Sequence, residues 1–200
     1  MCDPYLYKDV DVLKNKYNIR DGAKLDELIR NVTAIRMMAI DTVRGDFNYN
    51  HYMSIHKFVF GDIFEWAGGE REIEIHKCEN VLGGMSVQYT YPSEIGKEAK
   101  KCIAKLNKTD WTKLSADQIS ERFAKDIAAL WQTHPFREGN TRTTIAYACL
   151  FADAHGFDMD RQVFAENPKY VRDALVLASI GEYSEYEYLT RIFKKSMRSM

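Results

Sequence analysis

The sequence is short of residues that interrupt helices, with 4 Pro and 11 Gly in 200 positions, and it shows no linker, repeat or low-complexity tract. Nothing divides the chain, so one domain over residues 1–200 is expected. Cysteine is sparse too. Cys2, Cys78, Cys102 and Cys149 have no C-x-x-C spacing, which suits reduced thiols in a cytoplasm better than a zinc cage or a disulfide frame. Neither sign of charge dominates: 28 Lys+Arg face 29 Asp+Glu for a formal net charge of -1, leaving no overall field to hold nucleic acid or an anionic membrane. No apolar run reaches the ~18 residues that a bilayer span needs. The opening Met1-Cys2-Asp3-Pro4-Tyr5-Leu6-Tyr7 lacks the basic-then-apolar order of a signal peptide. What is abundant is core material, with 46% of positions hydrophobic and 12% aromatic, enough for one sizeable core.

Apolar residues recur at helical spacing over most of the chain. Leu25, Leu28, Ile29, Val32, Ile35 and Ile40 form one stripe of a helix over about 22–44, with Asp21 in its N-cap region. Tyr52, Ile55, Phe58, Val59, Ile63 and Phe64 form a second, closed by Trp66-Ala67-Gly68-Gly69. The period then changes. Arg71-Glu72-Ile73-Glu74-Ile75-His76-Lys77 alternates, and so does Met85-Ser86-Val87-Gln88-Tyr89 after Gly83-Gly84. A short β-hairpin over about 71–90 is expected, and because an isolated hairpin is marginal in water it must lean on the helices or serve as a flap. Helices resume after Ser93. Ser115-Ala116-Asp117-Gln118 has capping-box spacing before Ile119, Phe123, Ile127 and Leu130. Further helices are expected over about 140–155, stopped by Gly156, over 168–180, and at the C-terminus over 184–198, where Lys194 and Lys195 complement the dipole and residues 197–200 fray. The fold class is all-α with a small β-hairpin, a compact bundle of about six to eight helices with its core within about 22–180.

The unusual stretch is Trp131-Gln132-Thr133-His134-Pro135-Phe136-Arg137-Glu138-Gly139-Asn140-Thr141-Arg142. Pro135 pushes His134 out of the right-handed helical region, so the preceding helix ends there. Gly139-Asn140 opens a new helix, whose first amides lack intrahelical partners and whose positive dipole end attracts anions such as phosphate. Arg142 in the first turn adds a forked, charged contact, and Glu138 supplies a hard oxygen suited to Mg²⁺ held jointly with phosphates. His134 can take a proton near neutral pH. Phe136 reads as a core anchor that pins the loop. The stretch has neither P-loop nor dinucleotide-fold spacing. His51, His56, His76 and His155 have no metal-ligand spacing, and His56 reads as a satisfied side chain under the loop.

The run His134 to Arg142 resembles the signature of the Fic (filamentation induced by cAMP) family, H-P-F-x-[DE]-G-N-G-R-x-x-R. Ile55-His56-Lys57-Phe58, Asp62-Ile63-Phe64-Glu65-Trp66-Ala67-Gly68 and the Asp3-Pro4-Tyr5-Leu6-Tyr7 opening of the cell-filamentation subgroup are similar as well. The resemblance implies a helical fold with a β-hairpin flap and transfer of AMP from ATP to a Ser, Thr or Tyr hydroxyl of a target protein. By position, His134 is then the general base and Glu138 the Mg²⁺ ligand. Arg137, Gly139, Asn140, Thr141 and Arg142 cradle the nucleotide, with Lys77 reaching it from the flap. The flap would clamp the target by strand addition.

Two positions depart from the pattern. Thr141 stands where the family usually has Gly, placing a Cβ near the phosphates. Ile145 replaces the second Arg, forfeiting a charged contact of ~1.5–3 kcal/mol. The family's self-inhibition motif is absent as well, since Thr33 is followed four residues later by Met37, Ser179 by Tyr183 and Ser184 by Tyr188. Regulation would then rest with a separate small antitoxin protein, or with nothing in this chain. The alternatives are a module of this fold that binds a protein without transfer, or transfer of another phosphate-containing group such as UMP, phosphoryl or phosphocholine.

Overall fold

Local side chains start three of the longer helices. Asp21 accepts the Lys24 amide at 3.0 Å and begins α1, Gly22–Met38. Asn48 accepts the His51 amide at 3.0 Å and begins α2, Tyr49–Phe60. After α3, Ile95–Lys108, the capping box forms as the sequence predicts: Ser115 accepts the Gln118 amide at 3.3 Å and Gln118 accepts the Ser115 amide at 2.9 Å, opening α4, Ala116–Thr133. Then come α5, Asn140–Ala154, the short α6, Arg161–Glu166, which the sequence reading does not anticipate, α7, Pro168–Leu177, and α8, Glu187–Ser196. The computed structural model describes residues 3–198, and these eight are the α-helices among them.

Two buried helices form the centre. On α4, Ile119, Phe123, Ile127, Leu130 and Trp131 are all buried, and on α5 so is the run from Thr143 to Cys149. α3 and α8 flank α4, α2 packs on α5, and α1 packs on α2. The loop between α4 and α5 is therefore held by the two best-packed elements, which is where a site needing fixed geometry is best placed.

The structure corrects several expectations. α1 stops at Met38 rather than near 44, and a 3-10 turn, Ile40–Thr42, carries the chain onward. Ile35 lies off the buried stripe and is 68% exposed. The inner face takes Thr33 instead, whose hydroxyl donates to the Ile29 carbonyl at 2.6 Å. The C-terminal helix ends at Ser196, and the residues after it are tied down, because Met197 bridges to Met159 and the Arg198 amide donates to the Asp158 carbonyl. The rest of the expected fray, Ser199 and Met200, lies outside the described residues.

The β-hairpin does not form. Among the described residues the only β-bridges are isolated ones, Leu6 with Leu13 and Met159 with Met197. Residues 71–90 make two extended legs that meet at a 3-10 turn, Asn80–Leu82, and pair through the Glu79 amide and the Met85 carbonyl at 3.0 Å. Alternation is real, since it buries Val87 and Tyr89 while Glu72, Glu74 and His76 stay exposed. A ladder is nevertheless denied, because the Arg71 guanidinium takes the Ile73 and Thr90 carbonyls for itself.

Replacing Ser115 by Ala removes half of the capping box and is expected to cost about 1 kcal/mol in urea denaturation. Ile35→Glu, at an exposed position, is expected to stay within about 0.5 kcal/mol of the parent.

Candidate functional site

α4 ends where Pro135 predicts. His134 caps it in the left-handed region at φ 46°, ψ 56°. The loop that follows is braced by one side chain: Asn140 Oδ1 accepts the Phe136 amide at 2.9 Å, and its Nδ2 donates to the Phe136 carbonyl at 2.7 Å. Phe136 is buried as expected, its ring 3.7 Å from the His56 ring at an interplanar angle of 6°. His56 is the satisfied side chain anticipated from the sequence. Its Nδ1 accepts the Gly68 amide at 2.8 Å, which leaves Nε2 to donate to the Glu138 carbonyl at 3.0 Å. Burial pushes its pKa down to about 3, so the ring is neutral.

Gly139 adopts φ 85°, and a Cβ there would fall 2.3 Å from the Phe60 ring. This allows α5 to begin abruptly, with no side-chain cap over its first amides. Glu138 folds back at this point. Its Oε1 accepts the Gly139 amide at 2.9 Å, and its Oε2 lies 3.2 Å from Lys77 Nζ. Desolvation pushes the Glu138 pKa up, but the Lys77 ammonium, the Gly139 amide and the Arg142 guanidinium outweigh it and bring it to about 2. Arg142 donates to Thr33 Oγ1 at 2.9 Å and lies 5.2 Å over the Phe60 ring.

Thr141 uses the hydroxyl that sets it apart from glycine: its Oγ1 accepts the Trp131 indole N–H at 3.0 Å, pinning the start of α5 to α4. Ile145 is buried and faces an apolar groove of about 790 Å³ lined also by Met37, Met38, Cys149 and Val171. Arg161, on the same groove, is held by Asp41 and Asp153. Arg137 turns away to Asp3, with Nε and Nη2 at 2.9 and 2.8 Å from Oδ2.

The His134 ring is fully buried, stacked on Tyr89 at 3.8 Å and met edge-on by Trp131 at 5.0 Å. Neither ring nitrogen has a hydrogen-bond partner, an uncommon state for a buried polar group. Burial holds its pKa well below the ordinary imidazole value, and the Lys77, Arg172 and Arg71 cations push it the same way. The ring is therefore neutral, with one nitrogen lone pair left open. Lys77, His134, Glu138, Gly139, Asn140, Thr141 and Arg142 are gathered around one loop and one helix start, with Arg137 at the rim. No group of three or more metal-ligating side chains occurs among the described residues, so Glu138 is a lone carboxylate. Sequence reasoning missed Tyr89 and Arg71 as neighbours of the imidazole. Their one signal is that each sits at an end of the two alternating runs.

Comparison with known proteins follows the same lines. The profile of the Fic/DOC family matches residues 46–152. The chain is 32% identical over 184 residues to the probable protein adenylyltransferase y4lH of Sinorhizobium fredii, covering 90% of each. It is 29% identical to the protein adenylyltransferase VbhT of Bartonella schoenbuchensis over 90% of its own length but only 36% of that protein. Among solved structures, BepC of Bartonella tribocorum with bound AMPPNP superposes with a TM-score of 0.82 at 25% identity, covering 98% of this chain and 97% of that one. An N-terminal Fic domain of Bartonella quintana with bound ADP gives 0.82 at 26% identity, covering 98% and 95%.

Gly139→Ala combines a left-handed φ with a clash against Phe60 and is expected to lower the melting temperature by several degrees, a loss of about 2 kcal/mol or more. The buried imidazoles set a pH dependence. An unfolded histidine binds its proton near the ordinary value of 6.5, whereas folded His56 does so only at about 3. Stability is therefore fully present above pH 6.5 and is lost as pH falls from there toward 3, with His134 acting in the same direction at up to ~1.4 kcal/mol per pH unit for each ring. Urea denaturation near neutral pH and at mildly acidic pH measures this, and equal stability at both would contradict the neutral burial of the two rings.

Proposed function

Since the chain belongs to the Fic/DOC family, we propose that it is a protein adenylyltransferase that moves AMP from ATP to a Ser, Thr or Tyr hydroxyl of a target protein, with His134 as general base. The observation that carries the reading is the juxtaposition of an unprotonated, unpartnered imidazole with a helix start bearing uncapped amides, a carboxylate and a guanidinium.

The α5 amides and the Arg142 guanidinium bind the phosphates of ATP. The target hydroxyl oxygen attacks the α-phosphorus and forms the new P–O bond while its proton passes to a His134 ring nitrogen. The bond from the α-phosphorus to its bridging oxygen breaks, and pyrophosphate leaves. Arg142 stabilises the charge that develops on it. A lone carboxylate suits Mg²⁺ that arrives on phosphate oxygens rather than in a protein cage, so Glu138 is the residue that would hold it; when bound it neutralises phosphate charge. Lys77, now on Glu138, is within reach of the same phosphates. Asn140 acts through its amide and through the brace it gives the loop, and Arg137 supports the rim from its pair with Asp3.

The extended legs over 71–90 pair with each other at Glu79 and Met85, and a target segment would add along the stretch between that pairing and the ends at Arg71, Glu72 and Thr90, whose amides are already taken. The thiols of Cys78, Cys102 and Cys149 are free, which agrees with a cytoplasmic setting. The position four residues after Thr33 is Met37 rather than Glu, which favours regulation by a separate small antitoxin protein, or by nothing in this chain. A second reading, a protein-binding module without transfer, is favoured by Ile145, which leaves α5 itself with no guanidinium beyond that of Arg142.

Incubation with α-labelled ATP, Mg²⁺ and lysate is expected to label a protein band, and His134→Ala is expected to lower the rate by at least about 100-fold. Mass spectrometry of the labelled protein distinguishes AMP from UMP, phosphoryl or phosphocholine. Label undiminished in His134→Ala would remove the imidazole from the mechanism. Absence of ATP binding by calorimetry, with a protein partner still bound, would favour the second reading.

A further inference from the structure

The His134 ring has no hydrogen bond of its own, so nothing at its nitrogens sets its direction. Two other things must. One is the backbone at His134, held at φ 46°, a conformation that strains a non-glycine residue. The other is the Tyr89 ring stacked on its face at 3.8 Å.

A single side chain holds both. Arg71 Nε donates to the His134 carbonyl at 2.8 Å, Nη1 donates to the Ile73 carbonyl at 2.5 Å, and Nη2 donates to the carbonyl of Thr90, the residue after Tyr89. The Arg71 amide adds a bond to the Pro135 carbonyl at 2.7 Å. The residue is 2% exposed, and its guanidinium forms no ion pair with a carboxylate among the described residues. A buried cation without a counter-ion is costly, and an apolar side chain would fill the same volume more cheaply. Its compensation is three carbonyls, one of them at the negative end of α4. Reaching three carbonyls from one group takes the planar fork of arginine. The point charge of lysine lacks that geometry.

We propose that Arg71 is a positioning residue for the reacting imidazole: by tying the His134 carbonyl to the leg that carries Tyr89, it fixes where the ring lies relative to the start of α5. This rests on the reading of His134 as the base. Arg71 touches neither nucleotide nor target hydroxyl and acts only through His134 and Tyr89. It also makes the legs and the loop one body, so a target segment seated on the legs is referenced to the base through the same guanidinium.

The test compares Arg71→Met and Arg71→Lys in the full chain. Transfer from α-labelled ATP gives turnover and KM for ATP, and proton NMR follows the His134 ring resonances, which the Tyr89 ring current displaces. Turnover is expected to fall about 100-fold in Arg71→Met and about 10-fold in Arg71→Lys, the scale of a small misplacement of a reacting group, with KM for ATP within about 3-fold of the parent. The ring resonances are expected to move toward those of a free histidine in both variants. Unchanged turnover and resonances would overturn the proposal, as would a KM that rises as much as turnover falls. If Arg71→Met melts below the assay temperature, Arg71→Lys decides alone. If the parent transfers no label, the reading of the base has failed, and the resonances alone still decide whether Arg71 positions the ring.

Discussion

The Phe136 and His56 rings lie face to face at 3.7 Å, both out of water, and the neutrality of His56 makes this arrangement possible. A charged imidazole could not be buried there without a counter-ion. Kept neutral, with Nδ1 occupied by the Gly68 amide, it has one proton left to give, and that proton goes to the Glu138 carbonyl. The side chains of Glu138, Arg142 and His134 all depart from a backbone that this contact and the Asn140 brace hold in place. The loop is short, irregular and polar in its backbone, and it stays rigid because an aromatic sandwich lies beneath it.

Above that sandwich the electrostatics are lopsided. Lys77, Arg71 and Arg172 surround the His134 ring, while Glu79 answers Arg172 and Glu138 answers Lys77. Burial first, and these cations after it, hold the imidazole neutral, while Lys77, the Gly139 amide and Arg142 keep Glu138 ionised. Bare cations would also attract anions without discrimination. Pairing Lys77 with Glu138 and resting Arg142 on Thr33 and Phe60 tempers that pull.

The sequence made the helices and the loop legible because both are written locally. A capping box, a proline after a histidine and a glycine that must go left-handed each act over a few residues, and Ser115, Pro135 and Gly139 behave as their neighbours dictate. Ile35 and residues 71–90 depart from their sequence pattern for a common reason. Periodicity tells which residues share a face but not whether a partner exists for it, and Arg71 consumes the carbonyls that a ladder would have used. Tyr89 and Arg71 escaped because their roles are made across the fold, more than forty positions from His134 in sequence. Thr141 reads as a loss against the family pattern, yet its hydroxyl gives a buried indole its acceptor.

The front of the chain is fastened to this machinery. Asp3 grips Arg137, the Glu72 amide donates to the Tyr5 hydroxyl, and Lys14 Nζ donates to the Pro4 carbonyl. The first described residues thus touch both the loop and one of the legs over 71–90. A change at Asp3 or Tyr5 would therefore be felt at Arg137 and at Glu72 together, although neither residue lies near the loop in sequence.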